Sequence, residues 1–434
     1  MEPAFVNMEK ELEKYFDRLW PICRSITGNG LRESFRILQE IIPLELTEVP
    51  TGTKAFDWEV PKEWNIKDAY IVTPEGKKIC QFKENNLHIV SYSVPKNESI
   101  DFAELKKHLF FREDLPEAIP YATSYYKENW GFCISYNEFK SLSQEGEYKI
   151  FIDSELKNGS LTYGDLLLKG DTDKEIMFSS YLCHPSMANN ELSGPLAMAF
   201  LYKKLSSLKK RKYSYRFILA PETIGIITYL SGFGEHLKKK LTAGYVITCV
   251  AGKDAFRYKN ARRKDSIGDK AAAHVLKHSN EKYDIENFSI GGSDERQYCS
   301  IGFNLPVGSL MKSKYQEYKE YHSSLDNKSF IDFSCLAKSV EMYYNFCRTL
   351  ELNEKYKNLY PNCELQLGKR GLYPTTGGTW GIDIENTRKI LHLLAFADGE
   401  TDLIDIAEQR KLSAHDFEKE ISILLEMGLL GVEK

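Results

Sequence analysis

The chain of 434 residues is longer than one hydrophobic core ordinarily organises, so two or three domains are expected. Its 58 Lys and Arg against 62 Asp and Glu leave a net charge of −4, which argues against a dedicated nucleic-acid binder, and no apolar stretch approaches the roughly 18 residues of a membrane span. The nine cysteines are scattered, odd in number and never spaced as C-x-x-C, so they read as reduced thiols; with no basic, apolar leader at Met1-Glu2-Pro3-Ala4-Phe5, a cytoplasmic location is expected.

Leu12, Tyr15, Phe16, Leu19 and Trp20 recur at the spacing of an amphipathic helix. A second helix follows the Thr27-Gly28-Asn29-Gly30 turn, with Leu31, Phe35 and Leu38 on one face. From Val49 the texture shifts to aromatic residues, prolines and short alternating runs, predicting strands near 70–72, 88–90, 148–152 and 161–168. Residues 49–169 thus read as a mainly β insertion, whose tyrosines and tryptophans are expected in packing, with cleft lining as the alternative.

An α/β pattern runs from 173 to 354. Four short apolar runs each end in polar residues: 176–183 at His184, followed by Asn190, Glu191 and Ser193-Gly194; 216–220 at Pro221-Glu222-Thr223; 244–250 at Gly252-Lys253-Asp254; and 305–310 before the loop holding His322. Such runs predict buried parallel strands, and ligands bind beyond the carboxyl ends of such strands. After a linker at Thr376-Gly377-Gly378-Thr379, helices are expected over 388–396, 403–409 and 414–427, the last with a capping box in Ser413-x-x-Asp416. Their turn spacing suggests a winged helix. Six Lys/Arg against ten Asp/Glu from Arg388 to Lys434 give this module a charge of −4, which favours docking or dimerisation over DNA binding.

A hydrolytic metal centre needs neutral imidazoles and carboxylates as ligands, an open position for water and a carboxylate base. His184, Asn190, Glu191, Glu222, Asp254 and His322 are the candidates, and their place at successive strand ends ties them together. In chain order, His184, Asn190-Glu191-Leu192-Ser193-Gly194, Glu222-Thr223, Ser293-Asp294-Glu295 leading to Gly302-Phe303-Asn304-Leu305-Pro306, and Tyr321-His322-Ser323-Ser324-Leu325-Asp326 resemble the motifs of zinc aminopeptidases of the bacterial leucine aminopeptidase and glutaminyl cyclase type. Trp20-Pro21-Ile22-Cys23-Arg24-Ser25-Ile26-Thr27-Gly28, Gly292-Ser293-Asp294-Glu295-Arg296-Gln297-Tyr298 and Gln366-Leu367-Gly368-Lys369-Arg370-Gly371-Leu372-Tyr373-Pro374 are similar to strings of a bacterial aminopeptidase-like family. That family joins this catalytic fold to an inserted β domain and a C-terminal winged helix. The resemblance covers essentially the whole chain.

The resemblance implies an α/β fold with a mixed sheet flanked by helices, an aminopeptidase-like domain from 1–48 and 170–365, an inserted mainly β domain at 49–169 and a winged-helix module at 366–434. It also exposes departures. Asn190 stands where the related enzymes have a metal-bridging Asp, Thr223 where they have a second Glu ligand, and Gly252 where they have a further Asp; Asp254 or Glu191 could substitute. A neutral amide is a poor bridge between two dications, so one zinc ion is expected. In this reading His184, His322 and Glu191 hold it, with Asn190 and Asp254 as further candidate ligands, and Glu222 is the general base. Asp294, Arg296 and Tyr321 are candidate substrate contacts, with a local Asp294–Arg296 ion pair as the alternative. Asp326 is expected to support the His322 ring, with a turn or cap role as the alternative. The expected substrate is a small peptide or amide-containing small molecule, with no nucleic-acid or membrane partner and self-association through the C-terminal module. Two other readings stand beside this one: a binding protein that has lost the metal site, and an amidase or deacylase acting on an amino sugar in surface-polysaccharide biosynthesis.

Overall fold

The computed structural model describes residues 3–373 and 384–432, so the linker expected at 376–379 lies outside the described residues. They form two compact units, Met1–Gly268 with Lys282–Glu341, and Asp269–Glu281 with Met342–Lys434.

The first unit opens with the two expected helices, α1 (Pro3–Leu19) and α2 (Asn29–Leu38), which bury Leu12, Phe16, Leu31, Phe35 and Leu38. Each such side chain contributes roughly 1.5–3 kcal/mol by leaving water. The main sheet contains β1 (Glu45–Pro50), β2 (Ser160–Leu168), β3 (Glu175–Tyr181), β4 (Ser214–Ala220), β5 (Leu241–Ile247), β6 (Phe256–Lys259), β7 (Tyr283–Glu286) and β8 (Val307–Met311). Their spatial order is β1-β2-β4-β3-β5-β8-β6-β7. The centre, β4-β3-β5-β8, is parallel, while β1, β2 and β6 join antiparallel, so the sheet is mixed. Every residue of β3, β4 and β8 is buried, as a parallel sheet covered on both faces requires.

Helix α3 (Ser193–Ser206) crosses close beneath this sheet. A Cβ at Gly194 would lie 2.4 Å from both the Ile247 carbonyl oxygen and Ser180 Oγ, which is why glycine follows Ser193. Helix α4 (Ile224–Lys240) connects β4 to β5.

The insertion is narrower than 49–169. Its antiparallel sheet, in the order Lys78–Ile79, Glu63–Val72, Glu147–Lys157, Lys96–Asp101, ends before Ser160. The flanking β1 and β2 belong to the main sheet instead. An apolar run such as 161–168 carries the same pattern whichever sheet it joins, so periodicity alone did not place it. Trp64, Ile71, Phe132 and Tyr148 of the insertion share one buried cluster with Tyr181, Ile218 and Val246 of the main sheet.

The second unit carries helices Ile384–Phe396, Leu403–Gln409 and Glu418–Glu426, and an antiparallel pair Tyr356–Asn358 with Leu430–Val432. Leu393, Leu403, Ile406, Phe417 and Leu424 form its core. The Ser413–Asp416 capping box is present. This unit begins earlier than residue 366 and takes in residues 269–281.

Candidate metal centre

Tyr181 of β3 pairs with Ala220 of β4, so His184 and Glu222, just beyond these residues, emerge at the same edge of the sheet. His184 Nε2 lies 3.7 Å from Glu222 Oε2. His322 reaches the same place from the loop after β8, its ring centroid 5.2 Å from that of His184. The three line one cavity of about 330 Å³ together with Cys183 and Thr223. Ser186, Thr223, Cys249 and His322 all adopt positive φ. For a β-branched residue such as Thr223 (φ 65°, ψ −80°) that conformation is strained, and strain of this kind collects at functional sites.

Between β3 and α3 the chain makes a wide turn, Ala188–Leu192, broken at Asn190. Asp326 builds it: its carboxylate accepts the N–H groups of Asn189 (2.7 Å) and Asn190 (2.9 Å) and the Tyr318 hydroxyl (3.0 Å), and its carbonyl accepts Ala188 N–H. Asp326 therefore shapes the turn after His184 and does not support the His322 ring. Burial raises its carboxyl to about 6 against these hydrogen bonds.

Glu191 also departs from expectation. Oε1 accepts Arg24 Nε at 2.9 Å, and Oε2 receives His184 Nδ1 at 2.9 Å as well as the N–H groups of Cys183 and His184. The carboxylate thus stands behind His184 with its oxygens occupied, not beside the open face of the ring. Burial would depress the His184 ring, but Glu191, with Glu222 beyond it, raises it overall.

Asp254 is exposed; it accepts the Ser313 hydroxyl at 2.7 Å and borders a separate depression with Lys253, Glu320 and Phe330. Ser313 also closes the neighbouring position. A Cβ at Gly252 would sit 1.9 Å from Ser313 Oγ, so an acidic ligand there has no room.

Glu222 is 24% exposed, and Ser293 donates its hydroxyl to Oε1 at 2.7 Å, which leaves Oε2 toward His184. Asp294 lies beneath Thr223, accepting its N–H at 2.8 Å, and burial together with the Glu222 charge holds its carboxyl well above the usual range. Arg296 is exposed and donates to Thr223 Oγ1 at 3.2 Å, so both residues converge on the strained threonine. Tyr321 stacks on His322 at 3.9 Å.

Three buried polar atoms at this centre have no partner, His322 Nε2, Asn190 Oδ1 and Asp294 Oδ2. Burial, with His184 close by, pushes the His322 ring well below the ordinary histidine range, so it is neutral, with one nitrogen free of a proton. Unpaired buried acceptors are costly, and a cation is the group that would satisfy them. Two imidazoles and an amide oxygen are donor types that suit one ion, with Glu222 beside them as the base; Thr223, Gly252 and the neutral Asn190 do not suit a second.

Cleft lining, the alternative for the insertion's aromatic residues, holds for four of them, whereas the support behind His184 had no local signal. Trp58, Tyr121, Tyr125 and Tyr126 come from the insertion, and the Tyr121 and Tyr125 hydroxyls meet at 2.5 Å. Their signal was the tyrosine cluster at 121–126. Arg24 sits in the Trp20–Gly28 string, but its partners lie some 160 residues away.

A family model described as a domain of unknown function, DUF4910, matches residues 13–353, and a winged helix-turn-helix model matches residues 354–432. A Clostridium acetobutylicum protein provisionally named for polysaccharide biosynthesis, with an aminopeptidase-like domain, is 47% identical over 397 residues, 92% of this chain and 90% of its own. The crystal structure of a provisionally named peptidase from the same organism superposes with a TM-score of 0.92 at 43% identity, covering 99% of this chain and 98% of that one. A zinc aminopeptidase from Bacillus subtilis superposes with a TM-score of 0.55 at 12% identity over 78% of this chain and 93% of its own, a likeness of fold alone.

Proposed function

The chain belongs to the DUF4910 family, whose model spans residues 13–353, and on that premise we propose that it hydrolyses an amide bond with the help of one divalent cation, zinc by the imidazole donors. The observation that carries the proposal is the convergence of His184, His322 and Glu222 on one cavity from separate strand ends, with unpaired buried atoms left at His322 and Asn190. His184 Nε2 and His322 Nε2 would hold the ion, with Asn190 Oδ1 beside them. The chemistry a bound ion supplies is polarisation of the scissile carbonyl and acidification of water.

The rest of the work falls to the chain. Glu222, steadied at Oε1 by Ser293, uses Oε2 to take a proton from the attacking water and return it to the departing amine. Thr223, pinned by Asp294 and reached by Arg296, fixes the strained turn that presents Glu222. Trp58, Tyr121, Tyr125 and Tyr126 wall the cavity and offer aromatic faces to a substrate.

The substrate is a small peptide or an N-acylated amino sugar. The second is favoured by the aromatic wall, a surface suited to a sugar ring, and by the name of the Clostridium acetobutylicum relative. We assign the C-terminal module a docking or self-association role, which light scattering on the purified protein tests. The function is tested by assaying free-amine release from aminoacyl anilides and from N-acetyl amino sugars, with and without zinc. Wild type is expected to turn over one class, and Glu222→Gln to lose about 10²–10⁴-fold in rate while keeping its metal. Loss of metal and turnover together would make Glu222 a ligand; no turnover of either class by metal-loaded wild type would favour a binding protein.

A further inference from the structure

We infer that Arg24, acting through Glu191, is the positioning residue that fixes the tautomer of His184. Arg24 lies in the connection between α1 and α2, and its side chain and that of Glu191 are both fully buried. Its Nε donates to Glu191 Oε1 at 2.9 Å and to the His184 carbonyl at 3.1 Å, and Nη1 donates to the Leu19 carbonyl at 2.6 Å. One guanidinium therefore grips both the carboxylate behind the histidine and the backbone that carries it.

The hydrogen-bond sense follows from chemistry. An ionised carboxylate has no proton to donate, and Glu191 Oε2 already accepts the backbone N–H groups of Cys183 and His184. The His184 Nδ1 at 2.9 Å must therefore be the donor. The lone pair of the neutral ring then sits on Nε2, the nitrogen that faces Glu222 Oε2. Without the guanidinium, Glu191 is a buried carboxylate stripped of its counter-charge. The carboxylate then loses the group that holds Oε1 in place and is free to turn away from Nδ1, so the ring proton is no longer fixed there. Glu191 thus serves the centre as an orienting acceptor, and Arg24 keeps it one. Partners of this kind behind a ligating histidine are typically worth 10–100-fold in metal affinity.

The inference rests on the reading of His184 as a metal ligand, but its test reads the ring directly. In chelator-stripped protein labelled with ¹⁵N-histidine, the resonance pair that disappears in His184→Gln belongs to His184. In wild type, at a pH alkaline enough to deprotonate the ring that Glu191 raises, it is expected to report the Nδ1–H tautomer. Arg24→Met should show a tautomer mixture and lose about 10–100-fold in zinc affinity by chelator competition, whereas Arg24→Lys, which keeps a donor and the charge, should retain most of both. Should Arg24→Met fail to fold, the double variant Arg24→Met/Glu191→Leu removes both charges at once, an exchange that buried pairs often tolerate, and it too should lose the fixed tautomer. A wild-type ring in the Nε2–H form overturns the inference, as does an unchanged Nδ1–H ring in folded Arg24→Met or in the double variant. A fixed Nδ1–H ring that depends on Arg24 in a protein that binds no zinc upholds the inference and removes the metal reading instead.

Discussion

Among the described residues, two places gather histidines and glutamates, and they differ in what is left unpaired. In the second unit His274 and His278, one helical turn apart, both meet Glu408 Oε1, at 2.7 and 3.1 Å. Lys277 takes the other carboxylate oxygen, and His274 Nε2 accepts Ala414 N–H at 2.9 Å. Since that nitrogen must keep its lone pair for Ala414, His274 carries its proton on Nδ1 and spends it on Glu408. The cluster is satisfied and holds the unit together. At His184 one ring nitrogen is likewise spent on a glutamate, but the other faces a cavity, and His322 Nε2 and Asn190 Oδ1 have no partner. Composition does not separate the two clusters; unpaired atoms, a cavity and strained backbone do.

The sharpest way to break this comparison is to exchange histidines for glutamines in both. His184→Gln and His322→Gln are each expected to lose more than about 100-fold in zinc affinity, with turnover falling alongside. His274→Gln and His278→Gln should keep metal and turnover and lose about 1–2 kcal/mol of stability, measured by urea unfolding. Metal loss in the second pair would mean that the satisfied cluster is the metal site.

A smaller effect sharpens the account of the first centre. Asn190→Asp adds charge at an orphaned acceptor, and an affinity gain of about tenfold is expected by chelator competition. Stoichiometry should stay at one, because Ser313 still fills the space beside Gly252. Two ions bound would contradict the argument from Gly252.

Glu408→Gln should act on stability alone, lowering Tm by a few degrees at pH 7. Burial works against the Glu408 charge, but Lys277 and the two imidazoles outweigh it and bring the carboxyl to about 2 from an ordinary 4.5. A depressed carboxyl stabilises above its unfolded value and loses that contribution as pH falls through the folded one. The Tm gap between wild type and variant is therefore expected to close between about pH 4.5 and 2. A gap that widens over that range would contradict the pairing.

Among cavity walls the change expected is smallest. Tyr125→Phe removes the hydroxyl that meets Tyr121, and a few-fold rise in KM with little change in kcat is predicted once a substrate is found. A fall in kcat at constant KM would place Tyr125 in the chemistry.

The parallel core of the fold and the ends of its strands were legible because buried strands announce themselves as short apolar runs; His184 and Glu222 follow such runs at once, and His322 lies in the loop after another. The edge strands β6 and β7 were not, since Tyr283–Glu286 is largely exposed and carries no buried pattern. The roles of Glu191, Asp254 and Asp326 were set by distant groups, Arg24, Ser313 and the turn at Ala188–Asn190. Local spacing contains no information about which of these partners arrives.

The central claim, one cation held between His184 and His322, is tested most directly by native mass spectrometry of full-length protein purified without chelator and equilibrated with zinc. One zinc ion per chain is predicted in wild type, absent from the His184→Gln/His322→Gln double variant and retained in His274→Gln/His278→Gln. No ion in wild type, or an ion that survives loss of His184 and His322, would contradict it.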